Sequence, residues 1–198
     1  VSNMFSELED DFPRILGEGT SAGYINGMWM GTLLEIEPED GYWIRLCEEC
    51  STDLYIVGFL TDPGMEYSLN DGSNLISYPF AGSSPIEETI PDEAQGSIDA
   101  ILGEGSATIN ISEAGWVGGL VDLSGTEGYW FITNSDVSFS FNPPAEGMTR
   151  KASPIRSVPV EYAFKQSTQQ AFYFVNSATI DGEPLEMEDM IIAYNDDV

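Results

Sequence analysis

Apolar and polar residues alternate along much of this chain, and the alternation is that of β-strands. Val137, Phe139 and Phe141 take turns with serines, the pattern of a strand with one wet face. Residues 107–111, 115–123 and 129–133 also read as strands, as do 27–34, 42–46 and 54–60. Residues 65–69 and 74–80 flank Asn70-Asp71-Gly72-Ser73, a spacing that predicts a hairpin. Glu37-Pro38-Glu39-Asp40-Gly41 predicts a turn, because Asp-Gly favours positive φ. Two stretches carry helical spacing instead. In 6–16, Leu8, Phe12, Ile15 and Leu16 share one face and Ser6 can cap; Pro13 conflicts with this unless the helix begins at Asp11. In 91–102, Pro91 leads, Asp92 and Glu93 occupy the first turn, and Ile98, Ile101 and Leu102 form the apolar stripe. Gly17 and Gly103 would end these helices. Residues 81–85 are expected to be a loop.

The pattern is written twice. Ile15-Leu16-Gly17-Glu18-Gly19 returns as Ile101-Leu102-Gly103-Glu104-Gly105, 86 residues later. Trp29, Gly31 and Leu33 return as Trp116, Gly118 and Leu120 at an offset of 87, so one residue has been inserted between. Gly41-Tyr42-Trp43 returns as Gly128-Tyr129-Trp130 at that same offset. Such residues fix backbone shape and core packing more often than they carry chemistry.

The fold class expected is therefore α+β and β-rich. It comprises a duplicated small module, mainly antiparallel strands with one short helix per copy, and then an incomplete β-sandwich-like segment. Residues 1–73 would be the first module, incomplete at its N-terminus, and 74–142 the second. A Pro-rich linker at 143–160 holds Arg150, Lys151 and Arg156, half of the basic residues. Residues 161–198, with strands at 171–175, 178–180 and 190–194 and a turn from Asp181 to Leu185, would begin a second, truncated β domain. The chain is expected to be a piece of a longer polypeptide.

Composition narrows the chemistry. The 198 residues are 42% hydrophobic and 12% aromatic, enough for packed cores. Thirty-four acidic residues against 6 basic give a formal charge of −28, which argues against nucleic-acid partners and anionic membranes. No apolar run approaches the length of a membrane span. With no histidine in the chain, Ser-His-Asp triads, His-ligated zinc and histidine acid–base catalysis are excluded. Cys47 and Cys50 form a lone CxxC between acidic neighbours, at a strand end rather than a helix start. A local disulfide in an oxidising compartment is the expected state, with free thiols and a redox pair as alternatives.

Asn74-Leu75-Ile76-Ser77-Tyr78-Pro79, a short helix, Trp116-Val117-Gly118 and Gly128-Tyr129-Trp130 occur in an order similar to that of "GWNLIS-P … W … L-x-x-G-x-GYW" modules. Those modules are repeated in large secreted and surface proteins of marine and gliding bacteria. The tail, from Gln169-Gln170-Ala171-Phe172 through Ile180-Asp181-Gly182 to Tyr194-Asn195-Asp196-Asp197, resembles the opening of a β-sandwich module of the same proteins, without its Cys-Val-Gly-type strand. Ser73 replaces the usual tryptophan, and the first copy lacks its own Asn-Leu-Ile-Ser strand. The resemblance implies an extracellular or cell-surface location and modular architecture; it implies no reaction.

A non-catalytic structural or adhesion module is thus the expected function. The alternatives are a calcium-assisted glycan- or protein-binding module, a phage or viral surface protein and, last, a carboxylate-dependent glycoside hydrolase or lyase. Glu18 and Glu104 tempt as catalytic acids, but equivalent positions in two copies give equivalent environments, whereas an acid and a nucleophile need different ones. A loop role, accepting backbone N–H bonds, or two matching ligand sites suit them better. Calcium is the candidate cofactor, at Glu37, Glu39 and Asp40 or at Asn195, Asp196 and Asp197, although neither has EF-hand spacing. Tyr42 and Tyr129 alternate with Trp43 and Trp130, so one member of each pair should face away from the core and meet a ligand.

Overall fold

The computed structural model describes Phe5 and residues 14–45, 61–144, 178–180 and 183–184. Packing divides the chain into Val1–Gln166 and Ser167–Val198. Antiparallel sheets dominate the described residues. No described helix is long and apolar enough to cross a membrane.

The first sheet is built from β1 (Arg14–Gly17), β2 (Thr20–Ile25), β3 (Met28–Gly31) and β4 (Trp43–Arg45), in the order β3-β2-β1-β4. Then follow β5 (Tyr67–Leu69), β6 (Gly72–Ser77), β7 (Ser83–Pro85), α1 (Ile86–Thr89) and α2 (Asp92–Gln95). The second sheet uses β6 together with β8 (Ile98–Gly103), β9 (Ser106–Ile111), β10 (Gly115–Gly118) and β12 (Gly128–Thr133). Its order is β10-β9-β8-β12-β6. Two ribbons complete this part: β7 with β11 (Asp122–Ser124), and β5 with β13 (Val137–Phe139). In Ser167–Val198, β14 (Thr179–Ile180) pairs with β15 (Glu183–Pro184), separated in sequence by the expected turn residues Asp181-Gly182.

The first helix expectation is corrected where it reaches the described residues, and the second over most of its length. Residues 6–13 lie outside the described residues, but Ile15 and Leu16 belong to strand β1, where Ile15 is fully buried and pairs with Ala22 and Ile44. In 91–102 only Asp92–Gln95 is helical; Ile98, Ile101 and Leu102 belong to β8. A bulge explains the helical appearance. Ile132 faces Ala100 but Thr133 faces Ile98, so the alternation slips and two isoleucines three apart both enter the core. Gly17 and Gly103 therefore end strands rather than helices. The positive φ falls on Gly19 (64°) and Gly105 (70°), in tight turns joining β1 to β2 and β8 to β9.

The predicted 65–80 hairpin is also corrected, since β5 and β6 enter different sheets. Asn74 makes the corner between them. Its Oδ1 accepts the Asn70 N–H at 2.9 Å, and its Nδ2 donates to the Asn70 carbonyl at 2.8 Å. Within residues 81–85, Ser83–Pro85 form a strand, and two short helices rather than one follow it.

The second sheet covers the larger core. Ile76, Ile98, Ile101, Tyr129 and Phe131 meet Ile86, Ile90 and Ala94 from the helical segment, and Tyr67, Phe139 and Phe141 from the ribbon side. Four rings pack edge-on around Phe141, with Tyr67 at 4.9 Å, Phe139 at 5.1 Å, Tyr78 at 5.5 Å and Phe131 at 6.1 Å. The first sheet covers a smaller core of Phe5, Ile15, Ala22 and Leu33, packed by Trp29, Ile36 and Tyr42.

Candidate functional site

The repeated residues occupy the same registers in the two sheets. Leu16 opposite Trp43 corresponds to Leu102 opposite Trp130, and Ile15 opposite Ile44 to Ile101 opposite Phe131. Tyr24 opposite Trp29 corresponds to Asn110 opposite Trp116. The offset changes from 86 to 87 inside one hairpin. Asn26-Gly27 joins Ile25 to Met28, whereas three residues, 112–114, join Ile111 to Gly115. Asn26 and Gly27 both take positive φ, the conformation that an Asn-Gly turn favours.

Two local devices recur with the repeated residues. Thr32 and Leu33 both donate to the Ser21 carbonyl at 2.8 and 3.0 Å; Gly119 and Leu120 both donate to that of Ala107 at 2.9 and 3.1 Å. This brings Gly31 and Gly118 hard against the neighbouring strand. A Cβ at Gly118 would lie 2.3 Å from the Ala107 oxygen. The tyrosines form the second device. Tyr42 Oη accepts the Glu37 N–H at 3.0 Å and donates to Asp40 Oδ2 at 3.2 Å. Tyr129 Oη accepts the Ser124 N–H at 2.8 Å and donates to Glu127 Oε2 at 2.7 Å. Their rings lie over Gly17 and Gly103, where a Cβ would sit 3.2 and 3.1 Å away.

Burial pushes Tyr42 up to about 12 from 10.0, and burial together with Glu127 pushes Tyr129 higher still. Both hydroxyls therefore stay protonated at neutral pH and serve as latches, not bases. Asp40 is raised by burial, partly offset by its bond from Tyr42.

The sheets meet along Asn74-Leu75-Ile76-Ser77 of β6. One edge of β6 pairs with β12. The other edge belongs to the first sheet's turn. Glu18 Oε2 accepts the Leu75 N–H at 3.0 Å, Gly41 N donates to the Leu75 carbonyl at 2.9 Å, and Ser77 N donates to the Glu39 carbonyl at 3.0 Å. Ser77 Oγ donates to the Pro38 carbonyl at 2.6 Å. Every residue of the motif is thus structurally engaged. Asn74 turns the chain, Leu75 and Ser77 splice the sheets, and Ile76 fills the core. The tight turn that carries Glu18 aims its carboxylate at this splice, which is the loop role expected of it.

The expected ligand-facing pairs split across the sheets. Tyr129 is 1% exposed in the larger core, and Tyr42 packs on the smaller one. Trp43 and Trp130, half-buried, occupy the opposite faces. Trp29 and Trp116 pack against the cores; Trp116 Nε1 also donates to Gln95 Oε1 at 3.2 Å. Gln95 matters more than its sequence position suggests, because its amide also donates to the Ile90 carbonyl and its carbonyl accepts from Asn110.

Glu37, Glu39 and Asp40 share one turn. Among the described residues, no group of three or more His, Cys, Asp or Glu side chains is gathered closely enough to hold a metal. Cys47, Cys50, Asn195, Asp196 and Asp197 lie outside the described residues. Comparison with family models, with curated proteins and with solved structures finds no match for this chain.

Proposed function

We propose that this chain is a non-catalytic structural segment of a larger secreted or cell-surface protein, made of a duplicated β module whose copies are spliced into one mechanical element. The carrying observation is the splice itself, with a first-copy carboxylate and turn bonded to the outer edge of a second-copy strand. The matching registers support duplication, because two unrelated sheets have no reason to share both strand order and glycine contacts. The residues repeated between the sheets are spent on packing and backbone hydrogen bonds. That use suits a scaffold better than an enzyme. The surface location rests on the resemblance of the Asn74–Pro79 and Gly128–Trp130 motifs to repeated modules of secreted proteins.

Single-molecule pulling on the chain by its ends tests the reading. Residues 14–141 should unfold in one cooperative event, and incubation with polysaccharides should release no products. Independent unfolding of the two sheets, or turnover of a glycan, would overturn it.

A further inference from the structure

The solvent face of the first sheet carries a feature that the scaffold reading does not use. Arg14 and Arg45 stand directly opposite one another on β1 and β4, and both are exposed. Like charges facing across strands destabilise a sheet. In a chain with 34 acidic residues, neither guanidinium has an ion-pair or hydrogen-bond partner among the described residues. At the same register of the second sheet, Ala100 stands opposite Ile132.

Beside the arginines the same face carries several exposed apolar side chains. Pairing puts Leu16 opposite Trp43 one step along on the same face, and Gly23 opposite Met30 and Ile25 opposite Met28 beyond them. Met28 is 62% exposed, Met30 54%, Ile25 49% and Leu16 36%. Single exposed apolar residues are ordinary, but four together beside two exposed arginines that face one another mark an interaction surface.

We propose that this face docks an acidic polypeptide segment that brings apolar side chains with its carboxylates. The two guanidinium forks suit carboxylates, which they bind in bidentate fashion. The floor is aliphatic, and its methionines adapt to varied apolar side chains. A polysaccharide would call for an exposed aromatic platform, whereas Trp43 is half-buried with its indole N–H enclosed. This docking function goes beyond the scaffold reading and does not depend on it.

The probe is a fluorescein-labelled peptide with the sequence Leu-Leu-Glu-Ile-Glu-Pro-Glu-Asp, that of residues 33–40 of this chain. Anisotropy should report saturable binding to the full chain. It should weaken by about tenfold in the Arg14→Gln, Arg45→Gln double variant, and similarly when glutamines replace the peptide's glutamates. The arginines are exposed and the second sheet uses uncharged residues at their places, so the variant should keep the wild-type circular dichroism. A Met28→Lys, Met30→Lys variant should also bind more weakly, although its positive charge has increased. Absence of saturable binding, equal binding by the arginine variant, or tighter arginine-dependent binding of polygalacturonate would overturn the proposal. The last outcome would assign the face to an anionic polysaccharide.

Discussion

Replacing Glu18 with alanine removes the carboxylate with which the first sheet grips the backbone of β6. That carboxylate accepts the Leu75 N–H at 3.0 Å, in a partly buried setting. A hydrogen bond to a charged group contributes about 1.5–3 kcal/mol, and the exposure of Glu18 favours the lower end. The Gly41–Leu75 and Ser77–Glu39 backbone bonds remain in the variant, so β6 should stay paired and loosen locally. A loss of about 1.4 kcal/mol corresponds to a tenfold change in an opening equilibrium. Amide exchange measured by NMR should therefore accelerate about tenfold at Leu75, with little change at Ile101 or Phe131 deep in the second core. Glu18→Gln keeps an acceptor oxygen without the charge and should fall between. Unaltered exchange at Leu75, or equal acceleration throughout the chain, would refute the claim that this carboxylate clamps the strand.

Three other perturbations probe the repeated devices. Gly118→Ala should cost about 3 kcal/mol in urea denaturation, because its Cβ would lie 2.3 Å from the Ala107 oxygen and 2.5 Å from Thr108 Cα, both backbone atoms that cannot swing away. Tyr129→Phe should cost about 2 kcal/mol, since the Ser124 N–H loses its acceptor and Glu127 its donor while the ring stays in place; thermal unfolding measures it. Alkaline titration at 295 nm should show Tyr42, Tyr67 and Tyr129 ionising above the ordinary tyrosine range. Tyr42 and Tyr67 are raised to about 12 from 10.0, so the stability they contribute is intact below pH 10 and lost as the pH rises through 12, together with the fold.

Much of the architecture is legible in the amino-acid order because glycine and aromatic residues mark it. The strands at 107–111 and 129–133 follow from alternation, and the repeated pentapeptide marks a joint in each sheet. Its local conformation is another matter. Ile98 and Ile101 sit three apart, the spacing of a helix face, yet a bulge against Ile132 and Thr133 makes that spacing compatible with a strand. Bulges depend on the partner strand, so no window of local sequence contains them. Asn70 to Ser73 carry real turn chemistry, but Asn74 uses it to change sheets rather than to close a hairpin. Asn26-Gly27, by contrast, is a strong hairpin signal visible in the sequence, and it locates the point where the repeat offset changes.

The candidate site was partly legible. Matched positions for Glu18 and Glu104 argue for a backbone-binding loop role, and Glu18 has one. Its partner, Leu75, lies 57 residues away, and only the folded chain brings the two together. Trp43 and Trp130 face away from the cores, as strand alternation requires, while Tyr42 and Tyr129 turn inward to latch their preceding turns. The Arg14–Arg45 couple was invisible because it depends on the register between β1 and β4, two strands far apart in the chain.

The central claim is that the two sheets form one spliced structural element, and the four tryptophans permit a direct test. Trp29 and Trp43 report on the first sheet, Trp116 and Trp130 on the second. Urea unfolding would be followed by fluorescence and far-UV circular dichroism in two proteins, Trp116→Phe with Trp130→Phe and Trp29→Phe with Trp43→Phe. Splicing predicts that fluorescence and dichroism coincide in each protein, as for a single cooperative transition. If the first-sheet fluorescence is lost well before the dichroism while the second sheet persists unchanged, the sheets are independent and the account is contradicted.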